Sequence, residues 1–292
     1  MKNSFISFPC AALLACAAAV LPACSEKQEM PSEEKTYTIS GEADKDGKFS
    51  FTKALELSSD EMTLTAPWEK GEKVYVYLYK NGQYQKKGMM ECQGSGTGTV
   101  NLTGSVSGSF SVNDNLLFSY LHELTFDYSG QTGDLEDVAK NYDYAVTGAS
   151  ISRIVGETIP VGMIRMESQQ CIVKFTLKDE EGNPICPDRF TIDTVNDGTS
   201  DTYPQFAKLF VPSANPWVWE CGPVEVVPRK KTNELFVALT GNYTGSGILY
   251  GLYNAHLLLT AVVGNDVYTY EKQNVTFNNN KYYVIEVDMK KQ

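Results

Sequence analysis

From residue 36 onwards, apolar and polar side chains alternate with a period of two, as in β-strands whose two faces meet different surroundings. Turn-forming pairs such as Asn81-Gly82 and Asp197-Gly198 separate the alternating segments. Short strands at this spacing predict an all-β protein made of packed β-sandwiches. The predicted strands are 37–40, 50–57, 73–79, 98–102, 116–120, 171–177, 190–193, 207–211, 235–239, 256–263, 267–271 and 282–289.

One segment, 134–141, is predicted to be the only notable helix, with Asp134 as its N-cap residue. The best domain boundary lies at 159–162, where one set of strands ends and another begins. We therefore expect an N-terminal β-sandwich at 36–162 and a C-terminal β-sandwich at 163–292, each of ordinary domain size.

The start of the chain has the layout of an export signal. Lys2 is the only charged side chain in residues 1–23, and the apolar run behind it is too short to span a bilayer. The run ends at Ala23-Cys24, which resembles the lipobox of bacterial lipoproteins. The small Ala23 fits the signal peptidase, and the Cys24 thiol accepts a diacylglyceryl group. We predict cleavage before Cys24 and lipidation of Cys24; an ordinary signal peptide with an incidental cysteine is the alternative.

Residues 24–35 are polar, contain no aromatic side chain and are predicted to be a tether. The acidic residues just after Cys24 resemble the surface-export signal of Bacteroidota lipoproteins, and a solvated spacer is the alternative. Several acyl chains, palmitate among them, hold a protein stably on a membrane. We therefore expect a lipid-anchored protein of the outer membrane that is exposed at the cell surface.

The chain is acidic, with a formal net charge of −11 and a pI of about 4.8. Its longest basic run covers only residues 229–231. An acidic surface without a basic cluster disfavours nucleic acid as a partner.

Four cysteines follow Cys24, and in an oxidising envelope they allow two disulfides in three connectivities. One of them heads the alternating segment 171–177 on its apolar face, and for this residue we favour a buried free thiol. The four are Cys92, Cys171, Cys186 and Cys221.

Residue types that carry chemistry are sparse. His122 and His256 are the only histidines, and no Cys or His pair has metal-ligand spacing. The glycine-rich segment 94–98 lacks the residues of a phosphate loop and is better read as a hairpin or bulge. We predict no catalytic residue, no metal and no cofactor, and hence a protein that is not an enzyme.

Trp217 and Trp219 could form a platform on which sugar rings stack. They favour a glycan-binding surface lipoprotein as the alternative function. A strand end with one buried indole is the plainer interpretation.

Three segments together resemble the fimbrillin family, the type V pilus subunits and anchors of Bacteroidota. Segment 68–76 begins with Trp68 and resembles a strand entry of the family, and segment 169–175 resembles the start of its second domain. The most specific segment contains Tyr128, Gly130, Gln131 and Gly133, then a short helix, then Tyr142, Asp143 and Tyr144.

The resemblance implies two transthyretin-like β-sandwich domains in tandem and a structural or adhesive role. In the family, shaft subunits are cut after an arginine near the N-terminus, which removes the first strand and opens an apolar groove. A donor strand of the next subunit then fills that groove by strand addition. Other fimbrial subunits, and possible ligands on host or bacterial surfaces, are the implied partners.

This chain departs from the family pattern at the cleavage position. No arginine lies between Cys24 and Arg153, and Lys53 stands at the place that corresponds best. An uncut, lipid-retaining anchor is therefore as good a reading as a shaft subunit. If the protein is a shaft subunit, cleavage occurs near Lys53, and the donor strand is predicted to present four apolar side chains. These are Tyr283, Ile285, Val287 and Met289.

The lipobox is tested by Cys24→Ser. Because a serine hydroxyl cannot replace the thiol in acyl transfer, we expect an unlipidated precursor that no longer incorporates labelled palmitate. The control is Cys16→Ser, inside the apolar run, which should leave labelling unchanged. Palmitate labelling that persists in Cys24→Ser contradicts the lipobox.

Overall fold

The computed structural model describes residues 34–45, 56–57, 64–65, 67–120, 122–195, 206–214, 216, 218–241 and 254–292. In these residues the chain is almost entirely β-structure, and its single helix has seven residues. Two seven-stranded sheets follow one another along the chain, beside one three-stranded and one two-stranded sheet, so the predicted all-β tandem architecture is confirmed. Among the described residues, no helix is long and apolar enough to cross a membrane.

The described residues of the first half form ten strands and the helix. They are β1 (Thr36–Lys45), β2 (Glu56–Leu57), β3 (Leu64–Thr65), β4 (Lys73–Lys80), β5 (Gln83–Cys92), β6 (Val100–Ser107), β7 (Asn115–Tyr120), β8 (Phe126–Asp127), α1 (Leu135–Asn141), β9 (Ala145–Ser150) and β10 (Thr158–Ser168).

In the second half, nine strands are formed by the residues that the structure describes. They are β11 (Cys171–Asp179), β12 (Arg189–Thr194), β13 (Ala207–Val211), β14 (Val218–Cys221), β15 (Val224–Val226), β16 (Glu234–Leu239), β17 (Ala255–Val263), β18 (Asp266–Val275) and β19 (Tyr282–Lys291).

The two halves have the same strand order, although the sequence shows no repeat between them. The first sheet runs β6-β1-β10-β9-β7-β4-β5 and the second runs β16-β11-β19-β18-β17-β12-β15. In each half, the first strand pairs in parallel with the last strand, and every other pairing in these two sheets is antiparallel. The tandem is therefore one topology used twice.

Each half is a two-layered sandwich whose layers meet at a short pairing. β10 pairs with β9 only at Glu167 and Ser168, and β19 pairs with β18 only at Lys290 and Lys291. The chain thus passes from one layer to the other between these strands. In the first half, β5 also pairs with β6, so that sandwich closes into a barrel.

The division between the sheets falls at Gln169 and Gln170, after the boundary expected at 159–162. The expected boundary contains Pro160, which has no backbone N–H to donate. Pro160 instead lies inside β10, opposite Ser40 and next to a bulge. A proline is tolerated there because β9 pairs with β10 only at its far end.

The helix begins and ends close to the predicted bounds, with Asp134 at the N-cap position. The Asp134 side chain makes no capping hydrogen bond; its carboxylate lies 3.5 Å from the Lys230 ammonium. Val138 and Ala139 of the helix are buried.

The role of β19 in its own sandwich is tested by two matched substitutions. Val287 is fully buried and Val284 is 51% exposed on the same strand. We expect Val287→Asp to lower the free energy of unfolding by about 3–5 kcal/mol because it buries an unpaired charge. Val284→Asp should change it by less than about 0.5 kcal/mol. Urea unfolding measures both, and equal effects would contradict the assigned inward face.

Candidate functional site

The feature of the first half that bears most on function is the position of β1 between β10 and β6, which we call the seat of β1. This strand lies between two neighbours, parallel to β10 from Thr38 to Lys45 and antiparallel to β6 from Thr36 to Ala43. Both edges of β1 therefore form ladder hydrogen bonds. The strand is held like a central strand although it is the first one of the described chain.

The side chains of β1 alternate, and one set fills the core of the first half. Ile39 and Ala43 are fully buried and Tyr37 is nearly so. The Tyr37 ring meets the edge of the Phe110 ring at 5.5 Å between centroids. Taking β1 away would expose these pockets and the unpaired edges of β6 and β10.

A bulge sits in the middle of this seat. Val161 and Gly162 of β10 lie opposite the single residue Gly41 of β1. A Cβ atom added to Gly41 would lie 2.6 Å from Val161 Cγ2 and 2.9 Å from the Val161 carbonyl oxygen. Any other residue at this position would have to displace β10, so the seat demands glycine where the backbones approach.

The predicted lipidation and cleavage residues lie outside the described part of the chain. Ala23 and Cys24 precede residue 34, and Lys53 lies in the segment 46–55. These three stay predictions. In the chain order, however, β1 stands between Cys24 and Lys53.

The predicted donor side chains belong to β19, which is part of the sandwich of the second half. Val287 and Met289 are fully buried, and Tyr283 and Ile285 pack on the same core. β19 pairs in parallel with β11 over eight positions. On the outer face, Lys178 Nζ donates to Glu286 at 2.7 Å, and this hydrogen bond lowers the pKa of Glu286.

The segment with the most specific family resemblance forms the junction between the halves. We call residues 124–144 the junction segment. Its aromatic rings pack with side chains of both sheets in one buried cluster. The members are Tyr77, Leu117, Leu124, Phe126, Tyr128, Val138, Ala139, Tyr142, Tyr144 and Val146 of the first half, with Ile172, Phe210 and Ala238 of the second.

Buried tyrosine hydroxyls fix the path of the junction segment. Tyr144 donates to the carbonyl of Asp127 at 2.7 Å and accepts the Asp127 amide at 3.1 Å. Tyr128 donates to the carbonyl of Gln169, at the division between the sheets. Burial raises the pKa of Tyr128 well above its ordinary value, with a smaller contribution from Tyr144, so the phenol stays a hydrogen-bond donor.

The junction segment also caps the free edge of the second sheet at β16. The Gln131 amide group donates to the Ala238 carbonyl at 2.7 Å and accepts the Ala238 amide at 2.8 Å, as a neighbouring strand would. The Phe236 amide donates to the Gly133 carbonyl at 2.9 Å. Gly133 has a φ of +76°, and a Cβ there would meet Leu235 at 2.7 Å.

Two ion pairs, Asp137 with Arg229 and Asp134 with Lys230, join the start of α1 to the second half. The buried Asp137 carboxylate accepts hydrogen bonds from the Thr132 amide, the Thr132 hydroxyl and the Asn141 side chain. Arg229 lies 3.7 Å from the same carboxylate. The segment with the most specific family resemblance thus forms a structural joint.

The segment 68–76 also has a structural role. Trp68 is buried, and its ring meets Tyr120 edge-on at 5.3 Å. Tyr120 donates to Glu72 at 2.8 Å. The backbones of Trp68 and Gly96 exchange two hydrogen bonds, so the glycine-rich segment 94–98 belongs to the β5–β6 connection, as predicted.

The other candidate residues are dispersed. His122 lies against Tyr144, and burial lowers the pKa of His122; His256 lies 3.1 Å from Glu271. Trp217 is outside the described residues, and Trp219 is 38% exposed with one edge against Phe210. In the described part of the chain, no three His, Cys, Asp or Glu side chains are grouped to hold a metal ion.

The four described cysteines are free thiols. Cys171 is fully buried, as predicted, and burial raises its pKa far above the ordinary value. This thiol is therefore a core side chain and not a nucleophile.

Comparisons with known proteins find similar solved structures only. No protein-family model and no curated protein match the chain. A candidate cell adhesion protein of Bacteroides uniformis is 11% identical over 87% of this chain and 96% of its own, with a TM-score of 0.46. The tip fimbrial protein Mfa3 of Porphyromonas gingivalis, with a C-terminal truncation, is 11% identical over 88% and 98%, with a TM-score of 0.39. A fimbrial assembly protein of Parabacteroides distasonis is 8% identical over 87% and 92%, with a TM-score of 0.40.

The cap on β16 is tested by Gln131→Ala. This change leaves the buried Ala238 amide and two carbonyls without their partner, so we expect a loss of about 3 kcal/mol in the free energy of unfolding. Gln93→Ala is the control, because Gln93 is exposed and its side chain donates one hydrogen bond, to the Glu91 carbonyl. Urea unfolding compares the two, and a Gln131→Ala loss no larger than that of the control would contradict the cap.

Proposed function

We propose that this protein is a surface lipoprotein of fimbria assembly or adhesion, with a first half that can accept a strand from another subunit. The observation that carries the proposal is the seat of β1. A strand at the start of the body fills a slot with two hydrogen-bonding edges and apolar pockets. A strand from a second chain could occupy that slot by the same interactions.

The slot has the two properties that strand addition needs. The edges of β6 and β10 supply main-chain hydrogen bonds, which provide affinity for any extended peptide. The pockets that hold Tyr37, Ile39 and Ala43 lie at alternate positions and select side chains of matching size. Gly41 adds a third requirement, since only a residue without a side chain fits opposite the bulge.

Cleavage near Lys53 would have two consequences at once. Because β1 lies between Cys24 and Lys53, the same cut separates the body from its lipid and frees β1 to leave the slot. An uncut protein keeps the lipid and a closed slot. The anchor and the strand-accepting subunit are thus two alternative states of one chain, distinguished by one peptide bond.

A donor role for Tyr283, Ile285, Val287 and Met289 stays a prediction. It would lower the stability of the second half. Val287 and Met289 would have to leave the core of the second half, and β11 would lose its parallel neighbour. Burial of two such side chains stabilises a fold by roughly 3–6 kcal/mol. Strand acceptance by the first half makes no such demand on the second.

The cleavage state is tested on cells by Lys53→Ala. If the protein accepts strands, the mature surface form begins at Ala54, and Lys53→Ala abolishes that N-terminus without changing the thermal midpoint. Lys48→Ala is the control and should leave the N-terminus in place. N-terminal sequencing reads the result, and a wild-type surface protein that begins at Cys24 supports the lipid-retaining anchor instead.

Strand acceptance itself is tested with purified protein in which a specific protease site replaces residues 51–55. After cleavage, the body should capture a biotinylated peptide of residues 36–45, whereas the uncut protein should not. The control peptide carries Ile39→Asp and Ala43→Asp, which would bury two charges. Equal capture of both peptides would contradict a shape-selective slot.

A further inference from the structure

The outer face of the first half carries a row of four side chains across four adjacent strands. Tyr84 of β5 lies opposite Tyr79 of β4, Tyr79 lies opposite Asn115 of β7, and Asn115 lies opposite Ser150 of β9. Residues opposite one another point to the same face, so the row spans about 14 Å of surface. It places two aromatic rings beside an amide and a hydroxyl.

A groove of about 420 Å³ runs along this row. Its floor lies in the next row of the sheet, where Leu117 stands opposite Gly148. Because Gly148 has no side chain, the surface is hollow beside the tyrosine rings. A volume of this size is at the lower end of the range of small-molecule sites, about 300–1,000 Å³.

The polar groups of the row include one hydrogen-bonded pair and several donors and acceptors that this pair does not use. Ser150 and Asn115 share a hydrogen bond of 2.8 Å between the Ser150 hydroxyl and the Asn115 side-chain oxygen. The two N–H donors of the Asn115 amide take no part in this hydrogen bond. The described residues place no hydrogen-bond partner on the Tyr79 or Tyr84 hydroxyl. Both donors and acceptors therefore line the groove.

The tyrosine rings form the apolar part of the groove. Tyr79 and Tyr84 lie 4.8 Å apart between centroids with an angle of 44° between their planes. Tyr79 is 42% exposed, which is high for a large aromatic side chain on a sheet. None of the residues that line the groove is charged: Tyr79, Tyr84, Asn115, Leu116, Leu117, Gly148, Ala149 and Ser150.

We propose that this groove binds a neutral pyranose unit of a glycan. A sugar ring has an apolar face of C–H groups, which suits a tyrosine face, and a rim of hydroxyls that both donate and accept hydrogen bonds. The uncharged lining and the net charge of −11 favour neutral over anionic glycans. The site differs from the Trp217/Trp219 neighbourhood, and the inference does not rest on strand acceptance.

The groove can be filled without straining the sheet. A Cβ atom added to Gly148 would have the Leu116 carbonyl oxygen as its nearest neighbour, at an ordinary distance of 3.7 Å. Gly148→Leu therefore adds a side chain to the floor of the groove. Gly94→Leu is the matched control, because a Cβ at Gly94 meets nothing within 4 Å and Gly94 follows the far end of β5.

The experiment uses the mature chain, residues 24–292, with Cys24→Ser, so that the protein carries no lipid and needs no detergent. It is applied to an array of neutral, sialylated and sulfated oligosaccharides together with a proline-rich peptide, and the best neutral oligosaccharide is then titrated by calorimetry. We expect neutral glycans to be retained, with affinity lowered about tenfold by Tyr79→Ala and by Gly148→Leu. Tyr79→Phe should lower it less, and Gly94→Leu and Trp219→Ala should leave it unchanged.

Several results would overturn the proposal. One is that the protein retains the peptide or anionic glycans in preference to neutral ones, and another is that it retains nothing on the array. A third is that it binds a neutral glycan and neither Tyr79→Ala nor Gly148→Leu weakens that binding. The thermal midpoint of each variant is measured alongside. If Gly148→Leu keeps the thermal midpoint and loses glycan binding, the glycan binds in the groove. If Gly148→Leu lowers the midpoint, the effect of Tyr79→Ala on affinity is the test.

Discussion

The parallel pairing between the first and the last strand of each half is the interaction on which the rest of the structure depends. β1 joins β10, and β11 joins β19, so the two ends of each half are held together across more than a hundred residues. Such distant contacts carry a large loop-closure entropy and form only when the layers between them are in place. The same pairing that completes each sandwich also decides which strands can leave it.

The surroundings of this parallel pair differ between the two halves. In the first half, the strand that pairs in parallel with β10 is β1, and its loss would leave a slot bordered by β6 and β10. In the second half, β11 follows β10 after only Gln169 and Gln170, and the junction segment covers the adjoining edge of β16. Under the proposed strand acceptance, one topology would yield one exchangeable strand, β1, and one fixed strand, β11, because their surroundings differ.

Alternation predicted the strands that have one face in a core, such as β4, β7 and β16, together with the helix. It missed β5, whose Gln83–Cys92 sequence is mostly polar because much of the strand is exposed, and β9, whose side chains are mostly small. The domain boundary was expected at 159–162, whereas these residues lie inside β10, because its pairing with the distant β1 leaves no local signal in the sequence. The row Tyr84, Tyr79, Asn115 and Ser150 could not be found either, because only the strand register brings these residues together.

The slot and the groove lie in different layers of the first half. The slot belongs to the layer of β6, β1 and β10, whereas the row crosses β5, β4, β7 and β9. The layers meet at β5–β6 and at the two-residue contact of β9 with β10, and the row touches neither pairing: Tyr84 precedes the β5 residues that pair with β6, and Ser150 lies beyond the β9 residues that pair with β10. Exchange of β1 for another strand would restore the same ladder on β6 and β10. The outer face of the other layer, with its tyrosines, would therefore keep its shape whether the slot holds β1 or a strand from a second chain.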